Sequence, residues 1–270
     1  RGRLSGKPRS TVYTPCSGDP AERGTAFVVD QLNHILKLED FIAKHLRIGR
    51  REARARIIAG EISMAGIPES DHRRQVTRFD EVSVTNGTLQ RAMPRLYLLL
   101  NKPAGILSAT TDSQHPTVLD LIEHPDKATL HLAGRLDRSS TGLILLTNDG
   151  TWSGSLTLPG QKVEKVYLVE TDRPIPPEAV TRFAEGFHFP TEGITTLPAV
   201  LEILAPTRAR VTLHEGRYHQ IKRMFHRLDG IRLKSLHRER IGAIRLPDDL
   251  AAGQWRPLSE AEIDQSQRRA

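Results

Sequence analysis

Apolar positions change their spacing along this chain, and the changes mark its elements. Leu38, Phe41, Ile42 and the pair His45 and Leu46 recur at helical intervals until Gly49, which predicts an amphipathic helix. A second helix is predicted over 50–59, with Ala53, Ile57 and Ile58 toward a core and Arg50, Arg51, Arg54 and Arg56 around the polar surface. Gly60 ends it, and 61–64 opens a small strand region that closes around Val82–Val84. Residues 86–94 then read as a linker, with a turn-prone Asn-Gly and a closing proline. Beyond it, continuous apolar runs at 96–100, 130–133 and 143–147 read as buried strands. Further strands are predicted at 163–169, 199–204 and 209–214, and helices near 178–184 and 218–228. In the last helix Ile221, Met224, Phe225 and Leu228 form one apolar stripe that reads as core, with Lys222 on its flank.

The fold class expected from this order is α+β. A small α/β module at 35–88 and a linker at 89–94 precede a larger domain at 95–270, built on a mixed, mostly antiparallel sheet with flanking helices. Residues 1–34, rich in Gly, Pro, Ser, Thr and Arg, are expected to be a poorly ordered tail without chemistry.

Charge narrows the class of partner. Lys and Arg number 39 against 32 Asp and Glu, a net charge of +7, and the cations cluster at 47–56, 73–78 and 217–240. Clustered arginine on a basic protein points to nucleic acid. The one cysteine, Cys16, excludes disulfide frameworks and cysteine zinc sites and fits a reducing cytoplasm. No apolar run has membrane-spanning length, so no membrane partner is expected. The sequence has no HExxH, no phosphate-loop motif and no GxGxxG, so no metal or cofactor is expected.

Residues 131–150, HLAGRLDRSSTGLILLTNDG, carry the densest chemistry. Asp137 stands in a short loop between two apolar runs, with turn freedom from Gly134 and Gly142, flanking cations at Arg135 and Arg138, and hydroxyls at Ser139, Ser140 and Thr141. By itself such an acid is more often structural than catalytic, since loop carboxylates commonly bind their own backbone. Asp149 reads as the end of its strand, through an Asp-Gly turn.

GRLD followed by STGLILLTNDG resembles the catalytic motif of pseudouridine synthases, in the branch that modifies ribosomal RNA. KVYLV at 165–169 and EGRYHQIKRMF at 215–225 resemble two further motifs of that branch, in the same order and at similar separations, so that the likeness spans most of 95–260. The resemblance implies that Asp137 is the catalytic carboxylate, that Tyr167 stacks on the target uracil while its hydroxyl assists proton movement, and that Lys222 is the basic partner of Asp137 where sibling families place arginine. NKPAGILSAT resembles the opening motif of the domain and puts Lys102 within reach of RNA. Arg135, Arg217, His219, Arg223 and Arg238 are expected as further RNA-binding residues.

The segment KLEDFIAKHLRIGRREARARIIAGEISMAGIP is similar to a small RNA-binding module shared by some ribosomal proteins and tRNA synthetases, although Met64, Ala65 and Gly66 stand where the module has Val-Asn-Gly. It implies backbone contacts from Arg50, Arg51 and Arg54. EGRYHQIKRMF and LHRERIG, with Tyr218, His219 and His237, resemble the small-subunit (RsuA-type) branch; Gly160 departs from it, since relatives often carry a basic residue there.

The implied activity is isomerisation of one uridine to pseudouridine without a cofactor, in 16S rRNA or a ribosome-assembly intermediate, by a monomeric cytoplasmic enzyme. Two alternatives stand beside it: a catalytically silent rRNA-binding or assembly protein, and a 23S rRNA pseudouridine synthase. Retention of Asp137, Tyr167 and Lys222 together favours an enzyme.

Overall fold

The computed structural model describes residues 35–268; the tail expected at 1–34 lies outside the described residues. The small module comprises β1 (Leu36–Lys37), α1 (Leu38–Leu46), α2 (Arg50–Ile58), β2 (Ile62–Met64), β3 (Ile67–Pro68), β4 (Gln75–Val76), β5 (Val82–Val84) and β6 (Gly87–Gln90). Strands β3, β2, β5 and β6 form one sheet in that order, and β1 pairs with β4. Acids in the first turn of α1 (Glu39, Asp40) and bases in its last (Lys44, His45) complement the helix dipole. Leu38, Phe41 and Ile42 of α1 pack with Ala53 and Ile57 of α2 over Ile62, Met64, Val76 and Val82. Ile58, one residue past that stripe, is turned outward and 62% exposed, contrary to its expected core position.

The module runs slightly past residue 88. Strand β6 continues to Gln90, whose side-chain amide donates to the carbonyls of Thr77 and Asp80. Nor is the segment after it loose. The buried Asn148 accepts from the Leu96 amide and donates to the Pro94 carbonyl, each at 2.9 Å, and Arg78 of the module donates to the Asn148 carbonyl.

The larger domain contains β7 (Tyr97–Lys102), β8 (His131–Leu132), β9 (Thr141–Thr147), α3 (Gly150–Thr157), β10 (Lys165–Thr171), α4 (Ala179–Glu185), β11 (His188–Phe189), β12 (Ile194–Thr195), β13 (Val200–Ala205), β14 (Arg208–Leu213), α5 (Gln220–His226), β15 (Leu233–Ile241), β16 (Ile244–Arg245), β17 (Trp255–Pro257) and α6 (Glu260–Gln267). Its main sheet runs β13-β14-β10-β15-β9-β7-β17, with β16 on β15 and β8 on β9. The expected α+β class holds, and every pairing along this order is antiparallel except β15 with β9. Phe183, Phe187 and Phe225 bring α4 and α5 into the larger apolar core. Trp152 and Leu156 of α3 form a second core with Leu143 and Leu145. No helix among the described residues is long and apolar enough to cross a membrane.

Asp149 does more than end β9. Its carboxylate accepts from the Thr151 and Trp152 amides as the N-cap of α3, and from the Tyr97 hydroxyl at 3.0 Å. The parallel junction of β15 with β9 depends on Gly142, where φ is 101°. A Cβ there would overlap the Arg238 carbonyl oxygen and amide nitrogen, both backbone atoms that cannot swing aside. Gly142→Ala is expected to cost at least ~2 kcal/mol through that overlap and the strained φ. Gly160→Ala, which meets nothing within 4 Å, should stay within about 0.5 kcal/mol. Urea unfolding of the two variants checks this, and equal midpoints would refute it.

Candidate active site

Asp137 lies on the loop between β8 and β9, and two side chains from the start of α5 reach it. Lys222 Nζ is 2.7 Å from Oδ2, and His219 Nε2 is 3.3 Å from Oδ1. Lys222 also donates to the Ser139 hydroxyl at 3.2 Å. The Asp137 and Lys222 side chains are 26% and 31% exposed, so water screens the pair; its value is orientation more than stability. Tyr167, on β10, is buried at 7% exposure and lines the same cleft of about 90 Å³ with Asp137, Leu136 and Lys222. A carboxylate, a cation and an aromatic face thus meet at one small opening. His219 was expected among RNA contacts; here it adjoins the carboxylate itself.

Two expected RNA contacts prove to be internal. Lys102 is fully buried, and its ammonium donates to the carbonyls of Pro103 at 2.9 Å, Arg138 at 3.2 Å and Ser140 at 2.8 Å. Arg238 is 2% exposed and donates from Nε to the Leu143 carbonyl at 2.8 Å and from a terminal nitrogen to the Arg135 carbonyl at 3.2 Å. The reason lies in register. Lys102 and Arg238 are both paired with Gly142, one from each side, so their side chains flank a position that has none. Both cations serve the loop that carries Asp137 and neither is presented to solvent.

The remaining cations divide by their partners. Arg135 is exposed. Arg217 is exposed and bound to Glu215 at 2.8 Å, while Arg223 is held by Glu192 at 2.6 Å with its guanidinium 3.8 Å from the Phe189 ring centroid. In the module Arg50 pairs with Asp40 at 2.6 Å and Arg54 with Glu39 at 2.8 Å, and Arg51 is exposed. These three lie on α2, on a separate element from the Asp137 cleft.

Sequence reasoning overlooked two supports. The Ser108 hydroxyl donates to the Leu136 carbonyl and accepts from the Leu136 amide, at 2.6 and 3.0 Å. The buried Gln220 donates to Glu215 at 2.7 Å and accepts from the Arg217 amide at 3.0 Å. A signal for the first was available, since Ser108 belongs to the NKPAGILSAT segment. Gln220 sits inside its motif, where the neighbouring cations drew attention instead.

Burial pushes the Lys102 ammonium down to about 8, with Asp137 opposing the shift and Arg238 adding to it. Its folded value lies below the ordinary 10.5. Between those two values the unfolded chain therefore binds more protons, and this group alone makes stability rise with pH across that window. Lys102→Met removes the contribution, so its stability should rise less steeply from about pH 8 to 10.5 than that of the parent. Denaturant titrations at several pH values check this, and parallel curves would count against a buried, titrating ammonium.

The family model described as RNA pseudouridylate synthase matches residues 96–227. The ribosomal small subunit pseudouridine synthase A of Pseudomonas aeruginosa is 48% identical over 228 residues, covering 84% of this chain and 99% of the relative. The protein of that name from Escherichia coli K12 is 42% identical over 229 residues, covering 84% and 98%. A crystal structure of a pseudouridylate synthase superposes with a TM-score of 0.63 at 36% identity, over 86% of this chain and 99% of that one. The chain belongs to the RNA pseudouridylate synthase family, on the branch of these small-subunit pseudouridine synthase A proteins.

Proposed function

We propose that this chain converts one uridine of small-subunit ribosomal RNA to pseudouridine, with Asp137 as the catalytic carboxylate. The carrying observation is the 2.7 Å contact of Lys222 with Asp137 at the mouth of a cleft lined by Tyr167. The reaction is an isomerisation: the bond from uracil N1 to the ribose carbon breaks, C5 joins that same carbon, and the proton lost from C5 is matched by one gained at N1. No atom is added overall and no electrons change hands.

The base must leave its stack to reach Asp137, at a cost of a few kcal/mol that stacking and phosphate contacts offset. The cleft, about 90 Å³, is on the scale of a single base and smaller than the pockets that enclose drug-sized ligands. Tyr167 supplies the stacking face and Lys222 keeps the carboxylate aimed. The exposed cations Arg135 and Arg217, with Arg223 beside them, face the RNA. The small module contributes affinity through α2, and the protein acts as a cytoplasmic monomer on rRNA or an assembly intermediate.

Asp137→Asn keeps the size of the side chain and removes its charge. Pseudouridine formation should vanish, while RNA affinity stays within about tenfold, or ~1.4 kcal/mol. Measurable turnover by the purified variant would remove Asp137 from the mechanism, and absence of turnover in the parent protein would favour the silent RNA-binding alternative. Tyr167→Phe and Lys222→Ala should each lower the single-turnover rate far more than the affinity; near-parental rates in both would misplace the site.

Replacing Arg50, Arg51 and Arg54 together tests the module. Phosphate contacts release counterions, so the slope of log affinity against log salt should flatten by up to about two units and binding should weaken. Filter binding across a salt series reads this directly. An unchanged slope moves the RNA-binding surface onto the larger domain.

A further inference from the structure

Tyr218 is the one aromatic among the exposed large apolar side chains of the described residues, at 73% exposure. It packs into neither core of the larger domain, so the fold gives no reason for an aromatic at this position. Its ring lies flat on His219, centroids 3.9 Å apart and planes 19° from parallel. His219 in turn touches Asp137 through Nε2. The two rings therefore form a short stack whose inner member adjoins the reactive carboxylate and whose outer member has a face open to solvent.

The stack is mounted on a hydrogen-bonded turn. His219 holds a left-handed backbone (φ 49°) as the residue before α5, a conformation uncommon outside glycine. The turn leading to it is tied by Gln220 to Glu215, by Gln220 to the Arg217 amide, and by Arg217 to Glu215. His219 also lines a cavity of about 520 Å³ whose wall includes Lys222, Arg223, His226, Arg227 and Arg232. Glu192, the acid beside it, is engaged by Arg223. An exposed ring stacked on a wall residue of a cation-lined cavity matches the chemistry of single-stranded nucleic acid: bases stack on aromatic faces regardless of sequence, and the cations follow the phosphates.

We propose that Tyr218, backed by His219, is the stacking platform for an unpaired base flanking the target uridine, and that the adjoining basic cavity takes phosphates of the same strand. The inference rests on the pseudouridine synthase reading and specifies how that site holds RNA. A base resting on Tyr218 replaces the stacking that its neighbour gives up on leaving the helix. The preference is for an unpaired neighbour and not for a particular base, because every base offers a π-face.

The test uses the full chain and an oligoribonucleotide containing a uridine mapped as its product site, with 2-aminopurine placed at each flanking position in turn. Binding to the parent protein should change the fluorescence of one flanking position strongly. Tyr218→Ala should abolish that change and weaken binding about tenfold, within the range for loss of one base–aromatic stack. Tyr218→Phe, which keeps the ring, should retain both. Loss of both signals in Tyr218→Phe, or their persistence in Tyr218→Ala, would overturn the platform, as would a parent protein that perturbs no flanking position. Pseudouridine formation by the parent protein on unlabelled RNA is followed in parallel. Its absence would refute the enzymatic reading while leaving the fluorescence result to judge the platform by itself.

Discussion

The carbonyls of Arg135, Arg138, Ser140 and Leu143 surround the loop that carries Asp137, and two buried cations bind them. Lys102 holds the Arg138 and Ser140 carbonyls, and Arg238 holds those of Arg135 and Leu143. A buried backbone acceptor without a donor is costly, and a buried charge without partners is costlier. Each group answers much of the other's need, with one terminal nitrogen of Arg238 left without a partner. Removing Lys102 would strand carbonyls after Asp137, removing Arg238 would strand one on each side of it, and removing the loop would strand charge in a dry interior. The loop's path is thereby fixed on both flanks, which holds a partly exposed carboxylate in position without burying it.

This arrangement follows from one row of residues across the sheet. Lys102 on β7, Gly142 on β9, Arg238 on β15, Tyr167 on β10 and Val211 on β14 are successive partners. Residues in such a row share a face, so the glycine leaves room where the two cations flank it, and Tyr167 follows beside Arg238 with the guanidinium 5.9 Å from its ring centroid. The parallel joint of β15 with β9 brings a late strand of the chain against the Asp137 loop. Motifs distant in sequence meet because that joint exists.

Periodicity made the repetitive parts of the fold legible. Apolar spacing found α1, α2 and α5, continuous apolar runs found β7 and β9, and the alternation of segments beyond them placed β10, β13, β14 and α4 within a few residues. It passed over β15, whose sequence LKSLHRERI carries four basic side chains and looks like surface although Arg238 is buried within it. It also passed over α3, since GTWSGSLT has small residues in place of an amphipathic pattern. Lys102 and Arg238 were misread for the same reason: a cation is usually exposed, and only register shows when it is not. The meeting of Asp137 with Lys222 was legible through motif resemblance and not through composition, because the two lie far apart in the chain. His219 at the carboxylate was hidden, since its left-handed backbone turns it inward.

Burial sorts the cations of this basic protein into two groups that respond differently to their surroundings. Lys102 and Arg238 act over hydrogen-bond distances in an interior that counterions do not enter, so salt hardly reaches them. Arg51, Arg135 and Arg217 stand in solvent, where any attraction to a polyanion is weakened by dissolved ions. The acids nearest the proposed RNA face, Glu192 and Glu215, are already bound to arginines, which leaves Asp137 as a carboxylate met by Lys222 and His219. On the proposed reading, ionic strength would tune how tightly RNA is held while the buried contacts of Lys102 and Arg238 stay put. Placement of the Asp137 carboxylate and the proposed capture of RNA can thus be adjusted separately, although both are built from the same residue types.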